Sequence, residues 1–297
     1  MISSKSPSLA RLHGVERSDR VSTYAEVADL VSRCREALSQ ANVQVKPNSA
    51  LGALFSKADK LNRSWIAQTD KEDIRMLIEA DEAARIAESV LSAVNDSAAS
   101  EAIRRITKSD MHLSTRQPSQ GKDALWELSL MKFLQLRNVP TRFKDPPDLE
   151  ILFSDLGEYG VACKKVHSED SVGKQLTKGL KQIEPYRGAG LVAFNLDDLT
   201  PGESILASAT RSEASGHLDA INRAFIERHR FRFQKAVMDG KCDGIWVSSC
   251  VHADIAGLSP RFNRITESTL WTVTEARLAT RLRIAELRHL LDHGRAN

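Results

Sequence analysis

Cysteine is scarce in this chain, four among 297 residues at positions 34, 163, 242 and 250. None forms a CxxC pair, which excludes a zinc knuckle and a disulfide framework and points to a reducing compartment. Charge of one sign is lacking too. Lys and Arg total 42 against 39 acidic residues, so the net charge of +3 carries no signature of a nucleic-acid binder, and any binding face has to be local. No run approaches the roughly 18 apolar residues of a membrane span. The opening MISSKSPSLARLHG holds no apolar core of the kind a secretory signal needs. The expectation is a cytoplasmic protein with no membrane partner. Neither GxGxxG nor GxxxxGK[ST] occurs, nor a GxSxG elbow, which sets aside dinucleotide, NTPase and serine-hydrolase readings.

What is present is enough apolar material, 41% of residues, for two ordinary domains or one large one. Residues 1 to about 20 show no periodicity and read as a lead-in. Thr23 then precedes Ala25, Val27, Leu30, Val31 and Leu38, and Asp70 precedes Ile74, Leu77, Ile78, Ala84, Ile86, Val90 and Leu91, both at helical spacing. Sixteen basic and sixteen acidic residues leave 1–115 neutral. It reads as a helical accessory domain through which the chain forms a homo-oligomer or meets a partner subunit. The polar stretch 114–123, with Pro118 and Gly121, reads as a linker.

From 116 to 297 the pattern changes to α/β. A helix at about 121–137 precedes strands near 140–143, 147–153 and 159–166, a helix at 170–184 and a strand at Gly190–Asn195. A basic helix (215–238), strands at 243–251 and 267–274 and a last helix at 275–292 complete the chain. The order αβββαβ thus fills 121–196, with a mixed central sheet expected.

Chemistry concentrates in that segment. Strand residues two apart share a face, so alternation places Asp148 and Glu150 on a polar side and Leu149, Ile151 and Phe153 on the core side. In the next strand Ala162 and Lys164 share the side of Asp148, while Val161 and Cys163 face the core. An acid and a lysine converging from adjacent strands suit a hydrated divalent cation and a phosphate. Glu127 lies within the stripe of Ala124, Met131 and Leu134, where a carboxylate needs a partner: a metal, Lys164 or a neighbouring arginine.

Pro147-Asp148, Ala162-Cys163-Lys164 and Glu127, in that order, resemble the PD-(D/E)xK (restriction-endonuclease-like) nuclease superfamily over about one quarter of the chain. Gln182 and Tyr186 add a QxxxY spacing known from one branch of it. The resemblance implies a Mg2+-dependent phosphodiesterase, a DNA endonuclease rather than an RNase, with a role in restriction or anti-phage defence. On that reading Asp148, Lys164, Glu127 and Gln182 are catalytic, Mg2+ is held by Asp148 with Glu127 or Glu150, and Tyr186 meets nucleic acid. The chain departs from the pattern at Ala162, where the superfamily has an acid. Three readings stay open: an acid supplied from elsewhere, an inactivated variant, or a catalytically silent nucleic-acid-binding or assembly subunit with the same fold. Arg228, Arg232 and Lys235 share one face of the basic helix and are the expected phosphate contacts, against the plainer alternative of a solvated face. Phe225 and Phe231 mark its packed side.

Overall fold

A computed structural model describes residues 7–13, 23–67, 74–200 and 204–293. Strand β1 (Pro7–His13) comes first, then helices α1 (Tyr24–Gln40), α2 (Ala50–Ala67), α3 (Ile74–Leu91) and α4 (Ser100–Lys108). Thr23 caps α1 through a reciprocal box: its hydroxyl accepts from the Glu26 N–H, and the Glu26 carboxylate accepts from the Thr23 N–H. Then follow α5 (Gln120–Gln135), β2 (Thr141–Lys144), β3 (Asp148–Phe153), β4 (Gly157–Lys165), α6 (Val172–Ile183) and β5 (Gly190–Asn195). The chain continues through β6 (Ile205–Ser208), α7 (Arg211–Met238), β7 (Gly244–Ile255), β8 (Phe262–Val273) and α8 (Leu278–His293).

The strands form one mixed sheet in the order β1-β8-β7-β5-β4-β3-β2, with β6 paired to the end of β7. β5 lies parallel to both neighbours, β4 and β7, whereas β2–β3–β4 and β7–β8–β1 run antiparallel. Helices preceding a mixed sheet that is itself flanked by helices make an α/β architecture, consistent at this coarse level with a restriction-endonuclease-like topology.

Alternation divides the core between the two faces. Val161, Cys163, Leu191 and Ala193 pack with Ala124, Leu128 and Met131 of α5 and onward into α1–α4, while Ala162, Val192 and Phe194 pack with Leu176 of α6 and Phe225 and Phe233 of α7. The Trp126 indole N–H donates to the Ala193 carbonyl at 3.1 Å, pinning α5 across the central strands. α3 is tied to the sheet by charge: Asp81 receives His252 at 3.0 Å and Arg264 at 3.2 Å, and Arg85 pairs with Asp197 at 2.9 Å. Burial works against the charge on Asp81, yet the Arg264 guanidinium and the His252 hydrogen bond hold its pKa near 2.

Two segments differ from the sequence reading. Residues 7–13, read as lead-in, pair with β8 along their whole length; the other residues of that lead-in lie outside the described residues, as does Asp70. The polar stretch 114–123 is tightly held. Arg116 donates to the Thr200 carbonyl, Lys122 is buried with its ammonium on Thr115 and Gln117, and Ser119 caps α5.

Candidate functional site

The geometry gathers three of the expected residues. Asp148 opens β3 with φ of +153°, a conformation that L side chains rarely adopt and that strained functional positions favour. Its Oδ2 accepts from the Lys164 ammonium at 3.0 Å and from the Cys163 backbone N–H at 2.7 Å, and its Oδ1 accepts from the Gln182 amide at 3.3 Å. Lys164 also donates to the Cys163 carbonyl at 2.6 Å. Two strands and a helix therefore aim an acid, an ammonium and an amide at one spot, with Asp148 and Lys164 each only about one-tenth exposed.

α6 reaches Asp148 because it lies close to the sheet. A methyl group on Gly179 would stand 2.8 Å from Val192 Cγ1, so glycine permits the approach that brings Gln182 to the site one turn on. The Gln182 Oε1 oxygen is buried and accepts no hydrogen bond. A buried amide oxygen without a donor is costly and offers a hard oxygen ligand beside Asp148.

Glu127 comes from α5 with a different partner. Arg105, at the end of α4, grips it with two hydrogen bonds: Nη1 to Oε1 at 3.2 Å and Nη2 to Oε2 at 2.6 Å. This approach also depends on a glycine, since a methyl group at Gly121 would meet Ser109 Cβ at 2.8 Å and the Arg105 carbonyl at 3.1 Å. Burial, and then the nearby charge of Asp148, push Glu127 up to about 7. Burial likewise raises Asp148, although Lys164 opposes it. The two acids and two cations form one half-closed cluster. Arg105 escaped the sequence reading because it precedes Glu127 by 22 positions; the signal was the demand for a partner inside the α5 stripe.

Other expectations are redirected. Glu150 shares the parity of Asp148 but faces no cleft. It is fully buried, paired with Arg142 and Lys144, and accepts from the Tyr186 hydroxyl at 2.6 Å. These cations and the phenol hold it below the usual carboxylate range despite its burial. Tyr186 is thereby committed, its ring lying against Gly160. Ala162 is wholly buried, and its Cβ would lie 3.5 Å from a methyl on Gly179, so the position lies under α6. Burial drives the Cys163 thiol well above its ordinary range, which makes it an inert core residue.

On α7, Arg228, Arg232 and Lys235 are exposed as expected. Arg228 is paired with Glu169, and Lys235 with Asp239 at 3.2 Å. Phe231, expected on the packed side, is instead 75% exposed between Arg230 and Arg232. Helical geometry explains the error: position 231 falls in line with 228 and 235, whereas Phe225 and Phe233 turn inward.

Among the described residues no three His, Cys, Asp or Glu side chains group as a metal site, and no helix is long and apolar enough to cross a membrane. A cavity of about 710 Å³ lies between α1, α3, α5 and the β7–β8 ladder and touches neither Asp148 nor Lys164. Comparison with family models, curated proteins and solved structures finds no match.

Proposed function

We propose that this protein is a Mg2+-dependent nuclease of the PD-(D/E)xK type acting on DNA. The observation that carries the reading is the Lys164 ammonium 3.0 Å from the Asp148 carboxylate, with Gln182 completing the cluster, in the αβββαβ order the superfamily uses. Mg2+ keeps several waters and needs only one or two carboxylates, so the site fits it: Asp148, Glu127 and the undonated Gln182 Oε1 are the oxygens that would hold it. Bound there, the ion would supply Lewis-acid polarisation of a phosphodiester and a water of lowered pKa.

The chain's own residues have separate tasks. Lys164 holds a positive charge where charge develops on phosphorus or on the attacking water, and its bonds to Asp148 and the Cys163 carbonyl fix its direction. Gln182 orients Asp148 through its amide N–H and keeps a buried Oε1 that accepts no hydrogen bond. The exposed cations of α7 bind the backbone of the nucleic acid without reading its sequence.

The full chain should nick supercoiled DNA in Mg2+, and Lys164→Met should lower the rate by about 10²-fold or more while DNA binding persists. DNA binding without any cleavage by the native chain would favour the second reading, a silent binding or assembly subunit. That reading draws on Ala162, which leaves the usual acid position without a carboxylate.

A further inference from the structure

We infer that Arg105 is a displaceable phosphate ligand: a bound phosphodiester draws its guanidinium off Glu127, so that DNA and divalent cation reinforce each other's binding at this site. The inference rests on the nuclease reading above and adds to it a mode of regulation.

The fork of Arg105 fits a phosphate as well as it fits the carboxylate it now holds, because both present two oxygens in one plane. Its side chain is about one-quarter exposed and that of Glu127 about one-eighth, so the pair sits at the margin of the site rather than sealed in the core. The guanidinium is also incompletely satisfied, since its Nε is buried and donates to nothing. Meanwhile each acid of the cluster is occupied by a protein cation, Asp148 by Lys164 and Glu127 by Arg105. A divalent cation arriving alone must compete with both. Once a phosphate takes Arg105, Glu127 becomes an uncompensated carboxylate near Asp148, which is the condition that attracts a cation. By linkage the converse holds, and a cation on Glu127 frees Arg105 for the phosphate.

The test measures binding of a fluorescein-labelled DNA duplex to the full chain by anisotropy, with and without Ca2+ at constant ionic strength, together with Ca2+ titration of the chain alone by calorimetry. Extra divalent ion ordinarily weakens backbone contacts. The native chain should instead bind DNA about tenfold more tightly with Ca2+, within the usual range of coupling between sites. Arg105→Gln should bind Ca2+ alone more tightly than the native chain and lose the enhancement. Glu127→Gln leaves the arginine free, so its metal-free DNA affinity should rise above native and become indifferent to Ca2+. A lost structural contact would not raise affinity, which keeps the inference exposed even if Arg105→Gln folds poorly. An enhancement that survives in both variants overturns the role of Arg105 and leaves the nuclease reading standing. A native chain that binds neither DNA nor Ca2+ under any condition overturns both.

Discussion

Replacing Ala162 by Glu puts an acid at the position where the PD-(D/E)xK pattern that this sequence resembles carries one, and the structure gives a quantitative reason to expect harm. The position has no exposed surface and lies under Gly179, so close that a methyl built on that glycine would touch the Ala162 Cβ at 3.5 Å. Two further carbons and two oxygens must enter a cluster formed by Val166, Val172, Leu176, Val192 and Phe194. Overpacking of this kind costs about 1–3 kcal/mol. The carboxyl can avoid carrying charge by keeping its proton, which caps the electrostatic part: from an unfolded pKa of about 4.3 to pH 7, at 1.36 kcal/mol per unit, it is about 3.7 kcal/mol. The two together reach at most about 5–7 kcal/mol, a large share of ordinary stability that corresponds to a fall in Tm of roughly 10 °C or more. The sign of the pH dependence follows. An acid whose folded pKa is raised costs nothing below its unfolded value, and the deficit grows by about 1.4 kcal/mol per unit as pH rises from there to 7. Urea unfolding of both forms between pH 4.5 and 7.5 measures that slope. A variant within about 2 °C of native, with a flat pH difference and tighter Mg2+ binding, would refute the packing argument and show room for an acid beneath α6.

Other expectations follow from the same geometry. His167, held by Asp123 and by the buried Asp198 at 2.6 Å, has a pKa raised to about 9, so its contribution to stability is complete below about pH 6.5 and disappears as pH rises through 9; NMR titration should place its midpoint near 9, and an unmoved midpoint in Asp198→Asn would contradict that pairing. Gly179→Ala should cost about 1–3 kcal/mol in urea unfolding, because Val192 must yield at 2.8 Å, and should weaken the Gln182 contact with it. Arg232→Ala should flatten the dependence of DNA binding on salt by a slope of about 0.9, whereas Arg228→Ala should flatten it less because Glu169 already neutralises that guanidinium. Equal slopes in these two variants would withdraw the assignment.

Where side chains follow local periodicity, the sequence was readable. The strand Gly190–Asn195 stands at its expected bounds, because a run buried on both faces announces itself by composition. The convergence of Asp148 and Lys164 was legible from alternation, since adjacent antiparallel strands bring their parities into register. Alternation also misassigned Glu150: parity states which face a residue is on, and says nothing about whether Tyr186 and Arg142 cover that face. Arg105 and Ala162 illustrate the same limit, one a contact made between helices, the other a space closed by a glycine on a different element. Strands β1 and β6 escaped because their pairing partners, β8 and the end of β7, are distant in the chain.

β1 bears on the solubility of shortened chains. β8 is paired on one side by β7 and on the other by residues 7–13, which cover Glu267–Val273. Remove that segment, itself the outermost strand of the eight-stranded sheet, and the open edge moves to Glu267–Val273, whose backbone donors and acceptors are then exposed to whatever strand arrives first, commonly another copy of the same protein. A chain trimmed to begin at α1, which looks harmless by composition, is therefore expected to precipitate or associate edge to edge. Aggregation of such a preparation would report on an uncovered strand rather than on any property of the Asp148–Lys164 cluster.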